Sequence, residues 1–368
     1  MCRLAALKST QPLSPVLALR MMQAMQKGHD NSGFAMVMQD LEGAFADFKK
    51  YPLLSMACTS QGLEAAEEIL ETLGFTLKFD WQPDTVSAAG LDFRKMPHYV
   101  FRNYRYPEAF QQKPFSEQKA LLVQTRLHLR QALAAIDGGF VYSFWPDVLT
   151  LKEIGNPSDI GTYFDLWKEE SRLTARVISA QCRQNTNYKI VRYAAHPFFL
   201  EGYTLMANGE NTNYQRNKEF QQNLHPGYLG FESDSQCFLY TLHYIREKLA
   251  WPLKYYKHVI TPLPFEEMRA RPDADILLRV RQACSHLEIN GPNTIIFVLP
   301  AGEMGLVTDA KKLRPVVIGR HEEKVITASE VCGVDMVIPQ RDPASDIYPS
   351  EREMLLINNQ LEIEQWIQ

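Results

Sequence analysis

Beyond Gly291 the chain breaks into short strand-like runs: NTIIFVLP, GLVTD, RPVVIG, KVITAS and a closing EMLLINNQLEIE. Glycine, proline and asparagine separate them, so the last quarter predicts successive paired strands, ending in a hairpin that turns at Asn358-Asn359. Residues 3 to 7 and FAMVMQ read as strands at the other end, on either side of a helix with apolar positions Val16, Leu17, Leu19, Met22 and Met25 and Ser14 at its start. GHDNSG turns the chain between that helix and FAMVMQ. ARVISA (175 to 180) and TLMANGE (204 to 210) add two strands, followed by helices over 234 to 250 and 273 to 287. Strands at both ends with helices between them predict two sheets covered by helices, an α/β layered fold.

The stretch from 51 to 171 interrupts this pattern. It holds a helix over Ser60 to Gly74, a proline- and aromatic-rich irregular segment around 80 to 115, and a long helix from Ser116 to about Ala135. We read it as an inserted helical and irregular segment within one domain spanning 1–368.

With 368 residues, 45% hydrophobic and 22% charged, the chain can bury a sizeable core. Its net charge is -4 and no basic run exceeds a pair or so, which argues against nucleic acid or an anionic membrane as partner. Neither a signal peptide nor a membrane span is legible, so a cytoplasmic location is the expectation. The six cysteines show no C-x-x-C spacing, and both G-x-G-x-x-G and G-x-x-x-x-G-K-[ST] are missing. The chemistry is therefore expected to need no cofactor in this chain.

Cys2 stands directly behind Met1. Once Met1 is removed, this residue carries a thiol (reference pKa about 8.5) and an α-amine (about 7.7–8.0), a nucleophile with a matched base. Its position alone favours an inert thiol packed in a strand.

Other residues extend the pattern. KGHDNSG (27 to 33) is similar to an R-G-x-D-S-A-G turn, and CRQNTN (182 to 187) to R-x-x-T-N through Arg183, Thr186 and Asn187. AHPF (195 to 198), NGE (208 to 210) and ESDSQ (232 to 236) follow in order. Together these resemble the class II glutamine amidotransferases, whose nucleophile is an amino-terminal cysteine. GLVTDAKKLRPVVIG (305 to 319), ASEVCGV (328 to 334), EMLLINNQLEI and DVLTLKEIGNPSDIGTYFDLW (147 to 167) resemble segments of glutamate synthase amidotransferases, the last one segments of stand-alone subunits. The likeness covers residues 1 to 40 and about 147 to 360.

The resemblance implies a four-layer αββα sandwich of two antiparallel sheets, the Ntn-hydrolase type. It implies glutamine as substrate, Cys2 as attacker, and Asn208 with Gly209 as donors to the tetrahedral oxyanion. Arg183 and Thr186 would bind the substrate carboxylate and Asp234 its ammonium. Ammonia would pass to a flavin-dependent glutamate synthase-like chain, with FMN and an iron-sulfur cluster expected on that partner. An N-methylglutamate synthase type complex is the alternative acceptor, and a catalytically degenerate binding or regulatory subunit the alternative class.

Single residues also have plainer readings. Asn208-Gly209 is a common hairpin dipeptide, Asp234 sits where a helix N-cap belongs, Arg183 suits a partly buried ion pair, and Glu210 a solvated strand end. His196 reads as a scaffold residue and Asp30 as the residue that fixes its turn. Two family histidines are replaced, by Ala207 and Gln181, the aromatic after the arginine is Gln184, and Asn211 stands where the family has isoleucine.

Overall fold

The computed structural model describes residues 2–27, 30–83, 85, 91, 98–168, 172–184 and 190–366. Among these, strands form three sheets, and every named strand pair is antiparallel.

The first sheet contains β1 (Arg3–Leu13), β2 (Phe34–Gly43), β7 (Val148–Glu153), β8 (Leu173–Cys182), β13 (Val317–His321) and β14 (Lys324–Ala328), in the order β13-β14-β1-β8-β2-β7. The second contains β9 (Phe198–Leu200), β10 (Tyr203–Gly209), β11 (Asn293–Val298), β12 (Met304–Thr308), β15 (Met354–Ile357) and β16 (Ile363–Trp366), in the order β16-β15-β12-β11-β10-β9. Strand side chains alternate between faces, and here both faces are buried. Leu4 and Ala6 of β1 pack with Met206, Ile296, Leu306 and Leu355 of the other sheet. Ala5 and Leu7 turn outward into the helix-covered core with Ala18, Leu19 and Met22. Burial on both sides is why these strands read as nearly unbroken apolar runs.

Helices α1 (Val16–Ala24), α4 (Pro157–Tyr163) and α10 (Val331–Asp335) cover the first sheet, and α5 (Tyr214–Gln221), α6 (Gln236–His243), α7 (Tyr255–Ile260), α8 (Phe265–Arg269) and α9 (Ala274–Cys284) lie on the side of the second. All eight residues of α6 are buried, as a helix enclosed by other layers requires. The expected four-layer αββα arrangement of two antiparallel sheets is therefore present.

The interruption differs from the sequence expectation. Residues 52–146 build a third sheet of β3 (Pro52–Cys58), β4 (Thr76–Asp80), β5 (His98–Arg105) and β6 (Gly139–Pro146), with α2 (Ser60–Thr72) and α3 (Phe115–Ala135). The chain order β-α-β-β-α-β and sheet order β4-β5-β3-β6 make a split βαβ unit. Leu54, Met56, Val100 and Phe144 bury one sheet face against Leu70, Leu122 and Leu129 of the helices. Leu53, Ala57, Tyr99 and Phe101 bury the other against the main core, including Phe164. The segment is thus a sheet with two helices rather than helical and irregular, and it closes at Pro146 instead of 171, because β7 pairs with β2 in the main sheet. Thr76–Asp80 escapes notice because its first residues are exposed, so no apolar alternation marks it. The closing hairpin is also looser than an Asn-Asn turn, since Ile357 pairs with Ile363 and five residues intervene.

Candidate active site

Strand β1 begins beside Cys2. Arg3 pairs with Cys182 and Leu4 with Gln181, so the start of β1 and the end of β8 lie at the same end of the sandwich. The turn before β2 meets them there. Arg183 N–H donates to the Gly33 carbonyl at 2.8 Å, and Asp30 Oδ1 accepts from Ser32 N–H at 3.0 Å, holding that turn. Gly28 and His29 lie outside the described residues, as does Met1.

Cys2 is partly exposed, and its Sγ accepts the Gln184 N–H at 3.4 Å. Burial of the sulfur raises the thiol pKa; the Gln184 N–H and the Arg183 charge oppose that rise, and Asp30 adds to it. Burial lowers the pKa of His196 and Lys152, and the charge of Arg183, itself buried, adds to the lowering of both. Its charge therefore reaches both the nucleophile candidate and the AHPF segment.

Asn208 and Gly209 end β10. Only Tyr203 to Leu205 pair with the short β9, which leaves the β9-side edge of β10 beyond Leu205 without a strand partner among the described residues. Side chains fill the gap. Gln181 Nε2 donates to the Ala207 carbonyl at 2.7 Å, and Ala207 N–H donates to His196 Nδ1 at 3.2 Å. Gln181 Oε1 in turn accepts the His196 N–H at 3.1 Å. One amide thus bridges β8, β10 and the His196 loop, placing the end of β10 beside the strand end that carries Arg183.

Because Nδ1 accepts, the His196 proton sits on Nε2 and points to Ser233 Oγ at 3.3 Å; Ser233 Oγ donates to Asp234 Oδ1, also at 3.3 Å. Burial, then Arg183 and Lys152, hold His196 well below the usual histidine range. It is a neutral connector here. Asp234 is buried, and Oδ2 accepts the Asn211 N–H at 2.7 Å just past β10. Its carboxylate reaches across to β10's end, and α6 starts after Ser235 with no side-chain cap. Burial raises the Asp234 pKa against those hydrogen bonds.

Asn208 is 2% exposed, and its side-chain Nδ2 is buried without a hydrogen-bond partner among the described residues. An unmade bond of this kind costs roughly 1–3 kcal/mol. Gly209 is crowded: a Cβ there would lie 1.9 Å from the Pro292 carbonyl oxygen and 2.4 Å from Asn293 Oδ1. Only glycine fits this approach. The sequence-predicted Cys2, Arg183, Asn208, Gly209 and Asp234 thus share one end of the sandwich, whereas Thr186 lies outside the described residues.

Several supports were not foreseen. Arg3 Nε donates to the Met25 and Lys27 carbonyls, and its guanidinium pairs with Glu330 at 2.9 Å, anchoring the chain beside Cys2. Lys152 donates to the carbonyls of Tyr193, Ala195 and Pro197, so its buried ammonium shapes the loop around His196. From the inserted unit, Arg130 reaches Tyr193 Oη, the Leu229 carbonyl and Glu232, and Arg126 reaches Tyr193 Oη. For Lys152, the charged Lys-Glu pair that ends DVLTLKE was the available signal. Asn211 is explained by a buried chain: its Nδ2 donates to Asn217 Oδ1 at 2.7 Å, and Asn217 Nδ2 donates to the His286 carbonyl at 2.7 Å.

Gln181→Leu should therefore destabilise the protein by about 3 kcal/mol, because the Ala207 carbonyl and His196 N–H both lose their partner. Urea unfolding checks this, and an unchanged midpoint would remove the bridge from the account.

No family model matches the chain. An uncharacterised protein of Archaeoglobus fulgidus is 27% identical over 209 residues, 56% of this chain and 54% of its own. The chain spans about half the length of that relative. Among solved structures, it is similar to glutamine phosphoribosylpyrophosphate amidotransferase from B. subtilis complexed with ADP and GMP, at 12% identity and TM-score 0.45, covering 99% of this chain and 49% of that one. It is also similar to a glutamine aminotransferase class-II domain protein from Silicibacter pomeroyi, at 10% identity and TM-score 0.33, covering 91% and 98%. Likeness this loose leaves the functional reading to the chain's own residues.

Proposed function

We propose that this chain is a class II glutamine amidotransferase that hydrolyses glutamine and delivers ammonia to a glutamate synthase-like partner. The carrying observation is Asn208 Nδ2, unpartnered among the described residues and buried at the strand end that Gln181 ties to the neighbourhood of Cys2 and Arg183. A donor buried without an acceptor suits an oxyanion that exists only during reaction.

Cys2 Sγ attacks the side-chain carbonyl carbon of glutamine, and the α-amine of the processed chain takes the thiol proton. The carbonyl oxygen becomes an oxyanion facing Asn208 Nδ2 and the Gly209 N–H. The C–N bond then breaks, the amine returns its proton to nitrogen, and ammonia leaves a γ-glutamyl thioester. Water, deprotonated by the same amine, attacks the thioester; glutamate departs and the thiol is restored. Arg183 and Asp234 hold the substrate's carboxylate and ammonium.

Gln181 and Ala207, which replace family histidines, do not speak for a degenerate site, because Gln181 makes backbone contacts that hold the site's strands together. The glutamate synthase-like partner, with its FMN and iron-sulfur cluster, rests on the resemblance of residues 305–319 and the closing hairpin. The base is an amine with a reference pKa of about 7.7–8.0, so hydrolysis should fall about tenfold per unit as pH drops below that range. A glutamate-release assay between pH 5.5 and 9 checks this. A flat profile would remove the amine from its role. Copurification with a flavin-containing chain, and transfer of glutamine nitrogen within that complex, tests the partner.

A further inference from the structure

A second cleft lies at the opposite end of the sandwich. It occupies about 400 Å³ between the two sheets, where the late residues of β1 and β2 meet the early part of β8 and the turns at Gly202, Pro300–Gly302 and Asn359. Lys8 is six residues beyond Cys2 on β1, about 20 Å at strand rise. The cleft is therefore separate from the candidate active site.

Lys8 lines this cleft and is only 4% exposed. Its Nζ donates to the Gly302 carbonyl and, at 2.8 Å, to Asn359 Oδ1. Both acceptors are uncharged. An ammonium has three donors, so one N–H remains, and among the described residues no carboxylate pairs with Lys8. Two nearby acids are already matched: Asp40 and Glu42 pair with Lys49 at 2.6 and 2.8 Å, and with Arg176 at 3.2 and 2.6 Å. Burial outweighs the attraction of Asp40 and Glu303 and lowers the Lys8 pKa to about 8. A buried cation held only by uncharged acceptors would gain from an anion entering the cleft.

The rest of the wall defines what else the ligand carries. Trp145, Val148, Val177 and Pro300 supply apolar surface. Asp147 accepts the Leu41 N–H at 2.7 Å through one oxygen, and burial raises its pKa to about 7. The volume suits a small molecule. We propose that this inter-sheet cleft binds a small carboxylate-bearing metabolite, an amino acid or a short dicarboxylic acid, with its carboxylate seated on Lys8 Nζ.

The experiment is calorimetric titration of the full chain with succinate and, separately, L-glutamate, using wild type and Lys8→Met. Lys8→Met keeps the side-chain length without the charge, and its thermal melt verifies folding. Binding should weaken at least tenfold in Lys8→Met. Glutamate binding tighter than succinate, with the preference lost in Asp147→Asn, assigns an amino acid; equal binding of the two assigns the carboxylate alone. Should Lys8→Met not fold, reductive methylation of wild type replaces it: saturating succinate should slow labelling of Lys8 at least fivefold, read by peptide mass. The proposal is overturned by equal succinate affinity in wild type and Lys8→Met, by unprotected Lys8, or by no binding of either compound up to 10 mM, a range set by weak-ligand affinities of about 1 mM. None of these outcomes bears on glutamine hydrolysis at Cys2.

Discussion

Cys2→Ala should abolish glutaminase activity, lowering kcat by at least about 10⁴-fold, because it removes the thiol that attacks the amide carbon. Of the thiols nearby, Cys182 is fully buried on β8, and burial raises its pKa beyond any useful range. The variant should fold normally, since the Cys2 thiol contributes two weak contacts, accepting the Gln184 N–H at 3.4 Å and donating to the Gln184 carbonyl at 3.7 Å. Intact-mass analysis with a chloroketone analogue of glutamine gives the complementary reading. Wild type should lose Met1 and gain one adduct, whereas Cys2→Ala should gain none. Activity that survives Cys2→Ala, or an active chain that keeps Met1, would end the mechanism, because an acylated nitrogen cannot accept the thiol proton.

The second large effect is expected at Asn208. Asn208→Ala should lower kcat about 10²- to 10³-fold with little change in KM, the signature of a donor used mainly in the transition state. Stability provides the control. Most buried asparagines lose stability on truncation because they leave partners unsatisfied, but Asn208 Nδ2 has none among the described residues. The alanine variant should therefore unfold within about 1 kcal/mol of wild type, or later. Asn208→Asp should be at least as inactive, since it turns a negative charge toward the developing oxyanion. A fall in kcat that merely follows lost stability would return Asn208 to a structural role.

Much of the scaffold was legible because strand and helix signals are local. The runs after Gly291, FAMVMQ, ARVISA and TLMANGE all form strands, and the helices from Ser60, Ser116 and Ala274 form close to their expected bounds. The inserted unit was less legible. Its β4 carries exposed polar residues, and β5 follows a proline-rich stretch, so neither shows the apolar alternation by which a half-buried strand is recognised. The site was legible in its residue types but not in its wiring. Asp234 could be placed at a helix start, yet nothing near it in sequence indicates that its carboxylate meets Asn211 N–H. Likewise Gln181 looks like a lost histidine until its amide is seen spanning two strands and a loop.

By itself the sequence determined the layered α/β scaffold and the set of chemically able residues near both Cys2 and the NGE turn. Periodicity and turn chemistry act over a few residues, and so can be read from them. Only the tertiary structure decided that residues 52–146 form a sheet docked on the sandwich, that Gln181 bridges β8, β10 and the His196 loop, that Asn208 keeps a donor unused among the described residues, and that a second cleft surrounds Lys8. Each of these depends on burial and on contacts between distant segments, such as Lys8 with Asn359, which no local pattern encodes.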